Sequence, residues 1–272
     1  TSVAFRDRFD AHKLIEEFMM LDNVCAAGTL ETARQPLLYR VHEEPAPDKL
    51  EGLREVVESV GLSLAKGQVL QTRQINRLLD AAARGEFSEM VNMSVLRSMT
   101  QAYYAPQNFG HFGLNLKRYA HFTSPIRRYS DLIVHRALIS VHKWGKDGLS
   151  LDQAERLVEI GEQVSNTERR AMMAERDTTD RYLAAFLSER VGSDMDGMVS
   201  GVARFGMFVK LDETGADGLV PISAIGNEYF HYDGDQQTLK GEKTGIVIAP
   251  GMRARVRLAE AVPITGGLMF EL

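Results

Sequence analysis

Two adjacent arginines, Arg127 and Arg128, lie where the sequence signals the start of a helix. Residues suited to the cap and the first position of a helix come just before them: Thr123, Ser124 and Pro125. Apolar residues at helical spacing form a predicted buried stripe: Ile126, Tyr129, Ile133 and Ala137. Because a helix start offers free N–H groups and each guanidinium is a bidentate donor, the segment predicts a phosphate site. The alternative is an ordinary capped helix in which Arg127 pairs with Asp131.

An earlier helix, predicted from about residue 10 to 27, carries a second candidate group, Glu16. The main apolar stripe of this helix is Leu14, Phe18, Leu21 and Cys25. Glu16 and Asn23 project together from a narrow polar strip. Two interpretations of Glu16 remain open: a partly buried carboxylate that needs a partner, or a solvated one paired with His12.

Glu175 occupies the middle of a third predicted helix, from about residue 151 to 190. The apolar stripe of that helix is Leu157, Val164, Ala171, Tyr182 and Phe186. An ionised carboxylate on such a stripe costs several kcal/mol unless charged or hydrogen-bonding groups meet it. Its partner is either an arginine, such as Arg169 or Arg170, or the hydroxyl groups of a bound ligand.

After about residue 191 the pattern changes to short alternating runs separated by glycine. About five strands are predicted, which is typical of a small Greek-key barrel of the OB-fold type. The fold class is therefore α+β, with a mainly helical domain at residues 1–191 and a barrel domain at residues 192–272.

Phe205 and Phe208 flank a glycine in this barrel, and Arg204 and Lys210 lie close to them in sequence. Bases of a single strand could stack on the two rings while the two cations contact phosphates. The alternative is that one of the two phenylalanines fills the core of the barrel.

Composition limits the class of protein. The 272 residues are 44% hydrophobic, enough to bury a core, and the formal charge of −5 places any nucleic-acid contact in a channel rather than on a basic surface. Cys25, the single cysteine, excludes an internal disulfide and is expected to be a small core residue. No apolar run could span a membrane and no signal peptide is visible, so a cytoplasmic location is expected.

The segment HFTSPIRRYSDL, which begins at residue 121, resembles the signature of the ribonuclease II/ribonuclease R family of exoribonucleases. Three further segments resemble the same family: DAHKLIEE at 10–17, GHFGL at 110–114 and MAERD at 173–177. The segment after residue 192 is similar to the RNA-binding domain first described in ribosomal protein S1. The resemblance covers about residues 6–272 and implies the later part of an RNB catalytic domain followed by an RNA-binding barrel.

This resemblance implies a processive, hydrolytic 3′-to-5′ exoribonuclease that converts single-stranded RNA to nucleoside monophosphates. As catalytic residues, Arg127 would polarise the scissile phosphate, and Glu16 would position the terminal nucleotide or a metal-bound water. The residues expected to contact RNA are Arg128, Glu175, Phe205, Phe208, Arg204 and Lys210. Two positions depart from the family pattern: Asp22, where alanine is usual, and Pro221, where a histidine is common.

The family holds Mg²⁺ with a cluster of aspartates, and the metal activates the attacking water. That cluster precedes the segment at Asp10, so the ligands are expected upstream of Thr1 and none in this chain. His111 and His121 lack ligand partners at suitable spacing and are expected to be structural. The expected partners are single-stranded RNA and the missing N-terminal half of the same protein. The alternative is that the chain, as it stands, is a non-catalytic RNA-binding or regulatory fragment.

Overall fold

A computed structural model describes residues 3–5, 7–65, 70–83, 85, 87–234 and 237–272. The helices, in chain order, are α1 (Asp10–Thr32), α2 (Pro47–Ser59), α3 (Thr72–Ala82), α4 (Ser88–Ser98), α5 (Tyr129–His142), α6 (Leu151–Glu155), α7 (Leu157–Leu187) and α8 (Ile222–Ile225). The strands are β1 (Tyr39–Val41), β2 (Tyr103–Ala105), β3 (Asp194–Ala203), β4 (Gly206–Leu211), β5 (Asp217–Pro221), β6 (Phe230–Asp233), β7 (Thr238–Gly241), β8 (Val247–Ile248), β9 (Arg253–Val262) and β10 (Gly267–Glu271).

The chain folds as two compact units. The motif unit comprises Arg6–Pro45 and Thr100–Met172, and the barrel unit comprises Thr1–Phe5, Ala46–Met99 and Met173–Leu272. The predicted α+β class is confirmed, since helices precede a closed five-stranded barrel. The predicted domain boundary at residue 191 remains a prediction, because the compact units divide the chain differently and group α2, α3 and α4 with the barrel.

Helix α1 extends five residues beyond its predicted end and buries a different face from the one expected. Its buried residues are Asn23, Ala26, Ala27 and Leu30. The predicted stripe is wrong, because Leu14, Phe18 and Leu21 are more than half exposed and Cys25 is exposed as well. Small residues allow the buried face to pack closely against α5, whose buried Val134, Ala137 and Leu138 belong to the same core cluster.

The arginine motif forms a turn that precedes a helix rather than the helix start itself. Arg127 and Arg128 both donate backbone N–H bonds to the Ser124 carbonyl, which closes the turn at 3.3 and 3.1 Å. Arg128 then adopts an extended backbone as the N-cap, and α5 begins at Tyr129. The predicted helical position of Pro125 is therefore wrong, and so is the outer part of the predicted stripe, because Ile126 is fully exposed and Tyr129 is 43% exposed.

The helix predicted from residue 151 to 190 is interrupted at Arg156, which separates α6 from α7. The interruption is slight, because Arg156 N–H still donates to Asp152 O and Ile160 N–H to Arg156 O. Leu157 and Leu187 at the two ends of α7 are buried, whereas residues 170–179 are exposed throughout. No helix in the described part of the chain is long and apolar enough to cross a membrane.

The five predicted barrel strands close in the order β10-β5-β4-β3-β9, with β5 and β10 parallel and the other pairs antiparallel. This is the strand order of an OB-fold. Gly206 begins β4 where the strands approach closely, since a Cβ there would lie 2.2 Å from the Val220 carbonyl oxygen. The sequence interpretation missed the three-stranded sheet β6-β7-β8, which is inserted between β5 and β9.

Candidate nucleic-acid interface

A buried carboxylate, Asp131, organises the arginine turn. Its Oδ1 accepts hydrogen bonds from Ser124 N–H and from Arg128 Nη2, each at 2.8 Å, and its Oδ2 accepts one from the Ser130 hydroxyl at 3.1 Å. Asp131 has no solvent exposure, so these bonds offset a desolvation cost of several kcal/mol. Arg128, and not Arg127 as one interpretation predicted, is therefore the ion-pair partner of Asp131.

Arg127 is left as a free cation at the tip of this turn. Its side chain is exposed, and it makes no ion pair or side-chain hydrogen bond with the residues that the structure describes. Ile126, immediately before it, is fully exposed too. Since the guanidinium carries five N–H donors in a planar fork, Arg127 can receive two oxygens of a phosphate in one plane.

A ladder of five aromatic and imidazole rings lies in the same unit. Its members, in spatial order, are His42, His111, Tyr119, His121 and Tyr104. Neighbouring ring centroids are 5.1 to 5.7 Å apart. Tyr104 Oη and His121 Nδ1 form a hydrogen bond of 2.8 Å at the end of this ring ladder that lies closest to α5. The two histidines of the family-like segments thus pack within the unit.

Burial keeps both histidines neutral. It lowers the pKa of His121 to about 3, with a further contribution from the positive charges of Arg128 and Arg40. It lowers the pKa of His111 to about 4, and the neighbouring His42 adds to this effect. Burial also raises the pKa of the Tyr104 phenol. Near pH 7 His111 and His121 therefore add no charge beside the arginine turn.

Two polar contacts connect the ring ladder to its surroundings. Asn23 of α1 donates from Nδ2 to Tyr119 Oη at 2.9 Å and accepts Phe122 N–H at 2.8 Å. Arg40 lies 4.7 Å from the centre of the Tyr104 ring and pairs with Glu168 at 2.6 Å. Asn23 is thus buried and structural, and the prediction that it projects from a polar strip with Glu16 is wrong.

Glu16 has a partner that the sequence interpretation did not propose. Its carboxylate contacts the Arg8 guanidinium, and its side chain remains 43% exposed. The predicted pairing with His12 is wrong, because His12 Nδ1 accepts the Phe9 backbone N–H at 3.1 Å. Asp22, the departure from the family pattern, is exposed and makes no ion pair with the described residues. Glu16 and Arg127 belong to the same unit, and the catalytic role of Glu16 stays a prediction.

Glu175 lies on the exposed part of α7 and belongs to the barrel unit. The prediction of a carboxylate on a buried stripe is wrong, because Ala171 is exposed and Tyr182 is 74% exposed. Neither Arg169 nor Arg170 pairs with Glu175 among the described residues. Its carboxylate is accessible to a ligand, and its contact with RNA stays a prediction.

The predicted aromatic pair lies on the outside of the barrel. Phe205 is 58% exposed and Phe208 half-buried, with ring centroids 6.0 Å apart and planes nearly perpendicular. The suggestion that one of them fills the core is wrong, because Phe270 is the fully buried phenylalanine of that core. Arg204 and Lys210 are both exposed. We call the surface formed by Phe205, Phe208, Arg204 and Lys210 the barrel face.

The sequence interpretation missed Arg97 of α4. Its guanidinium donates to the Ser200 carbonyl at 2.7 Å and to Gln237 Oε1 at 3.0 Å. A Cβ at Gly201, which is opposite Phe208 in the β3–β4 register, would lie 3.0 Å from Arg97 Nη2. The signal was a glycine inside a predicted strand, which often marks a close approach by another group.

Comparison with known proteins fits this arrangement. The family model described as RNB domain matches residues 1–143, and the S1 RNA binding domain model matches residues 189–260. Ribonuclease R of Escherichia coli K12 is 41% identical over 263 residues, which are 94% of this chain and 32% of the relative. The chain belongs to the ribonuclease R family. It spans about a third of the length of that relative.

Two solved structures of ribonuclease R from Mycoplasma genitalium share the fold. The apo form superposes with a TM-score of 0.91 at 30% identity, over 98% of this chain and 42% of the other. The complex with ribose-methylated single-stranded RNA gives the same TM-score and identity over 99% of this chain and 42% of the other. The family expected from the sequence motifs is therefore confirmed.

The expected Mg²⁺ ion requires several oxygen ligands close together. In the part that the structure describes, no group of three or more histidine, cysteine, aspartate or glutamate side chains could hold a metal ion. Asp131, the buried aspartate of the motif, already accepts three hydrogen bonds. The residues present therefore do not fit a magnesium site, and the expectation that the ligands lie upstream of residue 1 stays a prediction.

Proposed function

We propose that this chain is the part of an exoribonuclease that binds single-stranded RNA and holds its scissile phosphate. The full activity is processive hydrolysis of RNA in the 3′-to-5′ direction, which releases nucleoside monophosphates. The Mg²⁺ ion that this reaction needs is bound by residues outside these 272. We also propose that the protein acts in the cytoplasm. The chain's family and its two RNA-type surfaces support this proposal.

The observation that carries the proposal is the division of roles between Arg127 and Arg128. Arg128 is held by the buried Asp131, which fixes the turn, and Arg127 is presented to solvent without a partner among the described residues. A preorganised guanidinium stabilises the charge that develops on a phosphate in the transition state. In this arrangement Arg127 contacts the phosphate, and Arg128 positions the turn.

The barrel face supports the RNA-binding half of the proposal. Exposed rings offer stacking surfaces that accept any base, and nearby cations contact the backbone phosphates. Phe205 and Phe208 supply the rings, and the exposed Arg204 and Lys210 supply the cations. The similar ribonuclease R of Mycoplasma genitalium forms a complex with ribose-methylated single-stranded RNA, which agrees with this choice of ligand.

Digestion of a single-stranded RNA labelled at one end tests direction and processivity. The assay uses a longer polypeptide that carries an upstream segment before residue 1, and it is run with and without Mg²⁺. Attack from the 3′ end releases a labelled mononucleotide at once from 3′-labelled RNA, whereas 5′-labelled RNA yields only a short end product when cleavage is processive. Products that keep the 3′ label in long fragments would contradict the proposed direction.

RNA binding and digestion, both measured with the longer polypeptide, distinguish the second candidate function. A non-catalytic RNA-binding role is favoured by the lack of a metal-binding group among the described residues. If the longer polypeptide binds the RNA but shows no Mg²⁺-dependent digestion, the regulatory interpretation replaces the enzymatic one. Digestion that needs inorganic phosphate and releases diphosphates would instead contradict hydrolysis.

A further inference from the structure

A chain of polar side chains leads from the ring ladder to the arginine turn. His121 Nδ1 and Tyr104 Oη are 2.8 Å apart, and the Ser130 hydroxyl lies beside the Tyr104 phenol. Ser130 in turn donates to Asp131 Oδ2 at 3.1 Å. The opposite oxygen of that carboxylate holds Arg128. The side chains of His121 and Tyr104 thus connect to Arg128 without contacting it through a direct hydrogen bond.

This chain lies in the interior of the motif unit. Ser130 and Asp131 have no solvent exposure, and Tyr104 is 4% exposed. Water is therefore a poor substitute for any missing partner, because a buried polar group left unsatisfied loses its full solvation. The orientation of the Asp131 carboxylate depends on the neutral donors around it as well as on Arg128.

We propose that Tyr104 and His121 are positioning residues, which orient Ser130 and Asp131 so that Arg128 is held and Arg127 is presented to an RNA phosphate. This inference rests on the proposed phosphate contact of Arg127 and extends it to two residues that do not touch the RNA. His121 and Tyr104 share a hydrogen bond, and Ser130, beside Tyr104, donates to the Asp131 carboxylate, so the four side chains form one buried polar group.

The charges around His121 explain why an imidazole suits this position. Arg128 and Arg40 face it as cations, Asp131 faces it as an anion, and His111 lies further along the ring ladder. Arg40 is itself compensated by Glu168. A neutral ring supplies a hydrogen bond to Tyr104 without a further positive charge, which would compete with Arg128 for Asp131.

The salt dependence of RNA binding by the 272-residue chain reports the number of phosphate contacts and so tests this proposal directly. The dissociation constant for a ten-nucleotide uridine RNA is measured by fluorescence anisotropy at several salt concentrations. Each phosphate contact on a single strand contributes about 0.7 to the slope of log K against log salt. We expect Arg127→Ala to lower that slope by one contact, and Tyr104→Phe and His121→Ala to lower it by the same amount.

The double variants decide between positioning and general damage. Adding Arg127→Ala to Tyr104→Phe should lower the slope no further, because Arg127 is already misplaced. His121→Asn, which keeps a hydrogen-bonding atom near the position of Nδ1, should restore most of the slope lost in His121→Ala. The matched control is Tyr39→Phe, which removes another buried hydroxyl of the motif unit, bonded to Glu31 at 3.3 Å, and should leave the slope unchanged.

Two results would overturn the inference, and they differ in meaning. In the first result, Arg127→Ala lowers the slope but Tyr104→Phe does not, and Arg127→Ala lowers the slope by the same amount when Tyr104→Phe is also present. Arg127 then contacts phosphate without help from Tyr104. If Arg127→Ala leaves the slope unchanged, the proposed phosphate contact itself fails, and the inference fails with it. Thermal unfolding followed by circular dichroism confirms that each variant is folded under the assay conditions.

Discussion

Arg128 donates a 2.8 Å hydrogen bond to Asp131, three residues further along the chain, and Asp131 has no solvent exposure. The same carboxylate oxygen accepts the Ser124 backbone N–H, so one residue of α5 fixes both ends of the turn that carries Arg127. Two neighbouring arginines of identical chemistry therefore have different environments. One is part of the interior and the other faces solvent.

This difference predicts that removing Arg128 lowers the free energy of unfolding far more than removing Arg127. Arg128→Ala leaves a buried carboxylate without its charged partner, which should cost about 3 kcal/mol of unfolding free energy. Arg127→Ala is the matched control and should change that free energy by less than about 0.5 kcal/mol, since the side chain is exposed. Urea unfolding followed by circular dichroism measures both. Equal losses in the two variants would contradict the assignment of Arg128 to the fold.

Arg127→Ala should have its main effect on cleavage. In the longer, active polypeptide we expect the single-turnover rate to fall by about 100-fold or more, as for the loss of one preorganised donor to a developing charge. The dissociation constant for the same RNA should rise by less than about tenfold. Lys146→Ala, at an exposed position beyond the end of α5, is the control. An unchanged cleavage rate would rule out the proposed role.

The sequence predicted the RNA-binding architecture well because its signals were local. Glycine-separated alternating runs define the barrel strands, whereas the outward position of Phe208, between the buried Met207 and Val209, is known only from the structure. The HFTSPIRRY segment likewise identified the family, which the RNB model and the relatives confirm. In each case neighbouring residues carried the information.

Predictions that depended on what covers a helix were wrong. An apolar stripe on α1 predicted burial, yet Leu14 and Phe18 are exposed while the small residues Ala26 and Ala27 are packed. The same reasoning placed Glu175 on a buried stripe of α7. The Arg128–Asp131 pair was missed because the turn before α5 redirects both side chains, and spacing alone does not distinguish an i,i+3 from an i,i+4 partner.

The neutral histidines predict a stability that falls with acid. In the folded chain the pKa values of His121 and His111 are lowered to about 3 and about 4 from the ordinary histidine value of 6.5, so the unfolded chain binds more protons than the folded one between about pH 3 and pH 6.5. The stability that the neutral rings provide is complete above about pH 6.5 and is lost as the pH falls toward 4.

Urea midpoints measured between pH 7 and pH 4 check this dependence. His121→Asn should flatten it, because the variant removes one of the two groups whose proton uptake differs between the folded and unfolded chains. His231→Asn, at an exposed position of the barrel unit, is the matched control for the removal of an imidazole. A wild-type midpoint that stays constant over this range would contradict the buried, neutral state of both rings.

Deletion of residues 192–272 should weaken RNA binding and reduce its salt dependence, while leaving slow cleavage in the active polypeptide. The deletion also removes the packing partners of Ala184 and Leu187, which belong to the barrel core. The truncated protein must therefore be compared with the intact one at a temperature where α7 remains folded. Full affinity after the deletion would count against the barrel as an RNA-binding module.

Point variants of the barrel face separate stacking from this loss of packing. Phe205→Ala and Phe208→Ala should each raise the dissociation constant for single-stranded RNA about 5- to 150-fold, since stacking of one base on an aromatic ring contributes about 1–3 kcal/mol. The salt slope should stay unchanged, because neither ring contacts a phosphate. Tyr229→Ala, an aromatic residue 65% exposed outside the barrel face, is the control for loss of any surface ring. If Lys210→Ala lowers the slope while the phenylalanine variants bind normally, the barrel holds RNA by charge alone and the stacking assignment is wrong.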